Sequence, residues 1–177
     1  MATVVNGIKL EDFNALHEEL KRNAEFVSKI HKWNARIRWA GSGFNFTSYV
    51  RNHKFTISEP SDIGGADSGP SAHELILTAL GACYSTGFIY NATKRNIQIK
   101  NFEVAIEGEI DDILVFFGLS DKGHPGYKKI VVKAYVEADA DEKTIKEIWE
   151  AAVKGSPVGN TLQRGVEIVP QVSLVRK

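Results

Sequence analysis

Cysteine is nearly absent from this sequence: Cys83 is the only one among 177 residues. One cysteine cannot form a disulfide within the chain, so cross-links do not hold the fold, and a lone thiol is typical of a reducing compartment. The first residues also lack a basic segment followed by an apolar run, the pattern of a secretory signal. Both absences predict a cytoplasmic protein.

Net charge is absent too, because 22 basic and 22 acidic residues cancel. Nucleic acids and anionic membranes attract proteins that carry a basic excess on one face, so we expect neither as a partner. The chain has no Cys-x-x-Cys or His-Glu-x-x-His motif, and its histidines are scattered, which argues against a metal site. These histidines are His17, His31, His53, His73 and His124.

Signals for nucleotide cofactors and for hydrolases are also missing. The glycine-rich loop over 61–70, SDIGGADSGP, has neither the glycine spacing of a dinucleotide-binding turn nor the lysine of a phosphate-binding loop. No Gly-x-Ser-x-Gly motif marks the nucleophile of a hydrolase. We therefore expect no bound cofactor.

The chain does contain one long stretch without charge, over 75–93. Ser71 and Glu74 precede it with the spacing of a capping box, which predicts a helix that begins near Ala72. A helix of about 20 residues is roughly 30 Å long. Because it has no charged side chain on any side, other elements must shield it from water all around. Its threonines, serines and glycines make it too polar to favour lipid. We expect a buried central helix with Cys83 near its middle.

The remaining segments have the patterns of strands and amphipathic helices. Apolar residues at helical spacing predict a surface helix over 10–30, after a short strand around Asn6-Gly7. Near the end, an amphipathic helix over 139–154 is followed by a short helical turn that begins at Ser156 and Pro157. Alternation predicts strands over 35–39, 44–50, 54–58, 97–110, 127–137 and 167–175.

These elements indicate an α+β protein, because strand runs separated by single helices lack the βαβ order of a parallel sheet. We expect an N-terminal extension over 1–32 and one main domain over 33–177. The strands of one chain scarcely cover a helix that is uncharged on every side. An intertwined homodimer would supply the missing cover.

Two motifs together resemble the OsmC/Ohr family of osmotically induced and organic hydroperoxide resistance proteins. They are DIGGADSGPSAHELILTALGAC, which ends at Cys83, and GSPVGNTL after the amphipathic helix. The resemblance runs from Trp33 to the C-terminus, and FFGLSDKGHPGYKKI is similar to a subgroup with an N-terminal extension. It implies antiparallel sheets wrapped around long central helices in an intertwined homodimer, with thiol sites at the subunit interface. Characterised members reduce organic hydroperoxides with two cysteines and a dithiol.

The resemblance matches Cys83 to the peroxidatic cysteine of the family. The family's second cysteine would precede Pro157, but Ser156 stands there, so no internal disulfide can form. The resemblance therefore implies chemistry at one cysteine, with an external thiol as the reductant.

The charged groups that the family places beside its thiol do not align in this chain. The family's glutamate lies ten positions before the cysteine, where this chain has His73, while Glu74 lies nine before it and points about 100° away on a helix. The matching arginine belongs in the first hairpin turn, which reads Gly-Ser-Gly. His73, Glu74 and Ser156 are the candidate supporting residues. The arginines near the turn, none of which aligns, are Arg36, Arg38 and Arg51.

Three interpretations of Cys83 follow. A buried cysteine is most often a small apolar core residue. An activated one would make the protein a thiol-dependent peroxidase for organic hydroperoxides, and activation needs His73 as an imidazolium or an arginine, because an unperturbed thiol is only a few per cent ionised at neutral pH. Without activation, the fold would bind a small apolar or thiol-reactive ligand at the dimer interface. The resemblance favours the peroxidase.

Overall fold

The computed structural model describes residues 3–175 and confirms the mixed α+β composition. Residues 1–2 of the predicted extension and 176–177 of the predicted main domain lie outside the described residues. The N-terminal half contains β1 (Val4–Val5), β2 (Ile8–Lys9), α1 (Leu10–Arg22), α2 (Ala24–Lys29), β3 (Arg36–Trp39), β4 (Asn45–Val50), β5 (His53–Ser58) and a short 3-10 helix (Ser61–Ile63). The C-terminal half contains α3 (Ala72–Lys94), β6 (Ile99–Ile110), α4 (Ile113–Phe116), β7 (Tyr127–Ala138), α5 (Glu142–Gly155) and α6 (Pro157–Arg164).

The central helix α3 begins at the predicted capping box. The Ser71 N–H donates to Oε2 of Glu74 at 2.7 Å, and the Glu74 N–H donates to Oγ of Ser71 at 3.4 Å. These bonds satisfy backbone donors of the first turn, and those from Ser71 hold the pKa of Glu74 below its ordinary value. By length and composition alone α3 could span a membrane. Its buried side chains, however, pack against the rest of the chain.

The body of the protein consists of α3, the two-stranded sheet of β6 and β7, and α5. β6 and β7 pair antiparallel along most of their length, and α3 packs on β6 and on α5. Phe88 of α3 is fully buried and stacks on Phe102 of β6 with ring centroids 4.3 Å apart. Burying a side chain of this size stabilises the fold by about 1.5–3 kcal/mol. Ile148 and Ala152 of α5 complete this core.

Gly87 allows the close approach of α3 to α5. A Cβ at this position would lie 3.2 Å from Cα and from Cβ of Ala152, so a larger residue would push the two helices apart. The contact fixes the C-terminal part of α5 on the middle of α3. The start of α6, which follows directly, is thereby placed against α3 as well.

The strands β3, β4 and β5 form an antiparallel sheet, which we call the arm. The prediction of three strands joined by tight turns is confirmed. Side chains that lie opposite one another in the register share a face of the sheet. One face is thus mainly apolar, and it carries Ile37, Trp39, Phe46, Phe55 and Ile57.

The apolar face of the arm has no cover within the described residues. No element outside the arm makes extensive contact with it between residues 3 and 175. Ile37 is 53% exposed and Trp39 is 56% exposed. Exposed apolar surface of this kind marks an interaction site.

The predicted N-terminal turn is confirmed as a hairpin of β1 and β2, and Asn6 in its turn fastens the extension to the body. Asn6 Nδ2 donates to Oγ1 of Thr93 and to the carbonyl of Ile97, each at 3.0 Å. The Ile99 N–H donates to Oδ1 of Asn6 at 2.7 Å. The extension is therefore held at the junction between α3 and β6.

The helix predicted over 10–30 is wrong as a single element, because it is divided at Asn23 into α1 and α2. Oδ1 of Asn23 accepts a hydrogen bond from the Phe26 N–H at 2.9 Å. An asparagine side chain that caps a new helix competes with continuation of the old one. The apolar spacing alone did not reveal this break.

The strand predicted over 167–175 is wrong for the single chain, since these residues have no strand pairing. The apolar side chains of this segment are exposed, and Val172 is 98% exposed. A strand needs a neighbouring edge to receive its backbone hydrogen bonds. Among residues 3–175 no strand pairs with this segment.

The prediction that α3 is buried on all sides is also wrong for the single chain. β6, α5 and α6 cover one side of the helix, and Cys83 is only half-buried. The other side has little cover from the described residues apart from α1, where Phe13 and His17 contact Tyr90. Its exposed side chains are Thr78, Ala79, Ala82, Thr86 and Tyr90.

Candidate active site

Cys83 and Ser156 meet where α6 begins against the middle of α3. Oγ of Ser156 donates a hydrogen bond to Sγ of Cys83 at 3.0 Å, although 73 residues separate them in the chain. Ser156 is 2% exposed, so this contact is shielded on the serine side. The predicted pair of site residues is therefore brought together within one chain.

Ser156 makes a second hydrogen bond. Oγ of Ser156 accepts from the Gly159 N–H at 3.0 Å, as the N-cap residue of α6. A hydroxyl has one hydrogen and can accept as well as donate. Ser156 can therefore donate its hydrogen to the sulfur of Cys83 while its oxygen accepts from Gly159.

Two groups of α6 present positive potential to the sulfur of Cys83. A hydrogen bond to an ionised acceptor is roughly twice as strong as one between neutral groups. The sulfur also lies at the N-terminal end of α6, where the helix dipole stabilises anions by about 0.3–1 kcal/mol. Reasoning from the sequence considered only the N-terminus of α3, which is too distant. The Ser-Pro pair predicted the start of α6, but the sequence did not show that this start lies beside Cys83.

His73 and Glu74 lie far from the thiol along α3. At 1.5 Å per residue they are about 15 Å and about 13 Å from Cys83 along the helix axis. Glu74 is engaged with Ser71 in the capping box, while the His73 carbonyl accepts from the Tyr127 hydroxyl at 3.0 Å. Neither side chain is brought to Cys83 within one chain, and a supporting role for them stays a prediction.

The three arginines singled out from the sequence belong to the arm. Arg36 and Arg38 lie on the face of β3 opposite to Ile37, and Arg51 lies in the turn between β4 and β5. No charged side chain among residues 3–175 hydrogen bonds to the sulfur of Cys83. Nor does this part of the chain gather three or more metal-ligating side chains.

A cleft of about 640 Å³ lies between α3, β7 and α6, and the sequence reasoning missed it. Cys83 and Ser156 are not among the residues that line it. We call it the α3–α6 cleft. The signal in the sequence was a stripe on α3 at four-residue spacing, Ile76, Leu80 and Tyr84. The cleft is lined by this stripe together with Ile130, Val132 and Leu162.

Tyr84 connects the cleft to the thiol site. Its hydroxyl oxygen and Oγ of Ser156 lie 2.8 Å and 3.2 Å from the position that a Cβ on Gly159 would occupy. Glycine is needed here because a side chain would collide with the phenol. Burial raises the pKa of Tyr84, and the charge of the neighbouring Cys83 raises it further. The phenol therefore stays protonated at neutral pH and can donate a hydrogen bond.

Comparison with known proteins gives one family match. The family described as OsmC-like protein matches residues 65–170, more than half of the chain. This segment contains Cys83, Tyr84, Ser156 and Gly159. No curated protein sequence matches the chain.

Several solved structures have a similar fold. An OsmC-like protein from Mycoplasma pneumoniae is 21% identical, with a TM-score of 0.62 over 76% of this chain and 89% of its own. A protein from Legionella pneumophila described as an organic hydroperoxide resistance protein OsmC is 14% identical, with a TM-score of 0.56 over 76% and 90%. An organic hydroperoxide resistance protein from Elizabethkingia anophelis is 15% identical, with a TM-score of 0.56 over 77% and 91%. At these identities the likeness shows the fold alone.

Proposed function

Because this chain belongs to the OsmC-like protein family, we propose that it reduces organic hydroperoxides through Cys83 alone, with an external thiol as reductant. The observation that carries the proposal is the 3.0 Å hydrogen bond from Ser156 to the Cys83 sulfur at the N-terminal end of α6. Names of two proteins with the same fold refer to organic hydroperoxide resistance, which supports the choice of substrate.

Reduction of the peroxide needs only the thiolate and a proton. The sulfur of Cys83 attacks the distal oxygen of the hydroperoxide and the O–O bond breaks. The leaving alkoxide takes a proton from solvent and becomes the alcohol. Cys83 is oxidised by two electrons to a sulfenic acid. Ser156 stabilises the thiolate before the attack, because its hydrogen points at the sulfur.

Return to the thiol needs two external thiol groups. The first condenses with the sulfenic acid to form a mixed disulfide and releases water. The second attacks that disulfide, which frees Cys83 and releases the external disulfide. Ser156 cannot replace either thiol, so we place the protein in a subgroup of the family that has an N-terminal extension and serine at the second position. A cytoplasmic location would supply the thiols.

One observation favours a second function, binding of a small apolar or thiol-reactive ligand without catalysis. No arginine, lysine or histidine among residues 3–175 hydrogen bonds to the Cys83 sulfur. Cationic neighbours are a common means of activating a cysteine. In this function the thiol would be a minor part of a binding site.

We further propose that two copies of the chain form an intertwined homodimer. Three uncovered surfaces support it: the apolar face of the arm, the exposed side of α3 and the apolar segment over 167–175. A second copy would cover all three at once, since each copy brings the same arm, helix and segment. An isologous interface of this kind is the commonest in soluble oligomers.

A lysine on the apolar face of the arm should dissociate the dimer. In Ile37→Lys the ammonium group would lie in the interface and lose its hydration. We expect this desolvation to cost more than about 1.4 kcal/mol, which corresponds to at least about tenfold weaker association. Sedimentation velocity over a range of concentrations measures the effect. Thr47→Lys, which places the same group on the opposite face, should remain dimeric. Equal behaviour of the two variants, or a monomeric parent protein, contradicts the dimer.

The peroxidase itself is tested by the stoichiometry of the first step. One equivalent of cumene hydroperoxide added to the reduced protein should consume one thiol and yield one equivalent of cumyl alcohol. Thiol titration and chromatography of the alcohol measure the two quantities. Alcohol formation without loss of the thiol would show that Cys83 is not the reductant.

A further inference from the structure

A corner of three residues joins α5 to α6 and carries the serine of the thiol site. α5 ends at Gly155, Ser156 caps both helices, and Pro157 begins α6. Gly155 is conformationally permissive, and no other part of residues 3–175 packs within 4 Å of the position that a Cβ would occupy there. Packing around Gly155 therefore does not hold the corner in place.

The side chain of Asn160 bridges this corner with its amide group. Nδ2 of Asn160 donates to the carbonyl of Lys154 at 3.0 Å and to the carbonyl of Ser156 at 2.8 Å. The Lys154 carbonyl belongs to the last turn of α5, whose carbonyls have no partner within their own helix. The Ser156 carbonyl also accepts from the backbone N–H of Asn160 at 3.0 Å. One side chain thus joins the end of α5 to the start of α6.

This bridge acts on the contact between Ser156 and Cys83. The close approach of Ala152 to Gly87 fixes α5 on α3, and the corner carries that placement on to Ser156. The hydrogen bond from Oγ of Ser156 to the Cys83 sulfur is 3.0 Å long. Hydrogen bonds weaken steeply when the angle at the hydrogen departs from linear. A rotation of the corner would therefore weaken this bond.

We propose that Asn160 is a positioning residue, which holds the Ser156 hydroxyl at the sulfur of Cys83 through its bonds to two main-chain carbonyls. The bearing of this role on peroxide reduction rests on the proposed function, in which Ser156 stabilises the thiolate. Asn160 itself makes its side-chain hydrogen bonds to the main chain and not to the sulfur. These bonds therefore remain possible when the side chain at position 156 is changed.

Disulfide formation in the Ser156→Cys variant measures this positioning without a peroxide. The two protein thiols are oxidised by two electrons while oxidised glutathione is reduced to two molecules of glutathione. The equilibrium constant of this exchange gives the effective concentration of one protein thiol at the other. Adding Asn160→Ala should lower it about three- to tenfold, the range that corresponds to the loss of one hydrogen bond.

Two further variants separate the hydrogen bonds from other effects of the substitution. Asn160→Asp keeps the size of the side chain, but an ionised carboxylate only accepts hydrogen bonds. It should lower the effective concentration as Asn160→Ala does. Gln163→Ala removes an exposed amide from the same helix and should leave the effective concentration unchanged.

The same substitution tests the link to the reaction. With Ser156 in place, Asn160→Ala should slow the oxidation of Cys83 by one equivalent of cumene hydroperoxide, again about three- to tenfold. Loss of titratable thiol with time measures the rate. Gln163→Ala should keep the rate of the parent protein.

Two results would overturn the assignment. One is an effective concentration that neither Asn160→Ala nor Asn160→Asp lowers, and the other is an equal loss in Gln163→Ala. A lowered effective concentration in a protein whose Cys83 reacts no faster than free cysteine would uphold the positioning role and refute the peroxidase. Rapid oxidation of Cys83 together with an effective concentration that is independent of Asn160 would do the reverse.

Discussion

Ser156→Cys is expected to form a disulfide with Cys83 within one chain under mild oxidation. The two side-chain atoms are already 3.0 Å apart, and closing to the roughly 2.05 Å of a disulfide needs only a small adjustment. Because the bond would join residues 73 positions apart, the loop-entropy relation gives a stabilisation of about 4 kcal/mol. The free energy of unfolding of the oxidised and reduced forms measures this difference. With a dithiol reductant the variant should also turn over by a two-cysteine cycle.

Thr161→Cys is the matched control for this disulfide. It places the new thiol on the exposed side of α6, away from Cys83, and should keep two free thiols after the same oxidation. If Ser156→Cys also keeps both thiols, the contact between α3 and the start of α6 is wrong, and with it the match of Ser156 to the second cysteine position.

Cys83→Ser should abolish thiol-dependent reduction of organic hydroperoxides and leave the fold intact. A serine hydroxyl can keep the hydrogen bond with Ser156 but is a very weak nucleophile toward a peroxide at neutral pH. Steady-state loss of cumene hydroperoxide in the presence of a dithiol should therefore fall to the rate without protein.

Ala82→Ser supplies the control for the loss of turnover. It adds a hydroxyl to the neighbouring, exposed position of α3 and should retain the activity of the parent protein. Residual turnover in Cys83→Ser above the background would assign the chemistry to another group. Because Ala82 lies on the side of α3 that the second copy would cover, a large loss in Ala82→Ser would show that the assay reports on the packing of α3 and not on the thiol.

Local patterns predicted the elements around the thiol well. The start of α3 depends on Ser71 and Glu74, which lie within one helical turn, and the start of α6 depends on the adjacent Ser156 and Pro157. Such capping signals involve only neighbouring residues, so they can be identified without knowledge of the fold. The strands of the arm were equally visible, because alternation is a property of each strand alone.

Features that depend on distant parts of the chain were not predictable in the same way. The strand expected over 167–175 has no partner edge in one chain, and the cover of α3 depends on which elements fold back onto it. The close approach of Tyr84 to Gly159 joins α3 and α6 across 75 positions of the sequence. The donor beside Cys83 likewise comes from another helix, so the position of Cys83 within α3 gave no indication of it.

The central claim, that Cys83 is a reactive thiol, is tested most directly by the rate of its oxidation. Reduced protein is mixed with one equivalent of cumene hydroperoxide at neutral pH without external thiol, and the loss of titratable thiol is followed beside a sample of free cysteine at the same concentration. The Ser156 hydrogen bond and the N-terminus of α6 predict that Cys83 reacts far faster than free cysteine. A rate no faster than that of free cysteine would contradict the peroxidase.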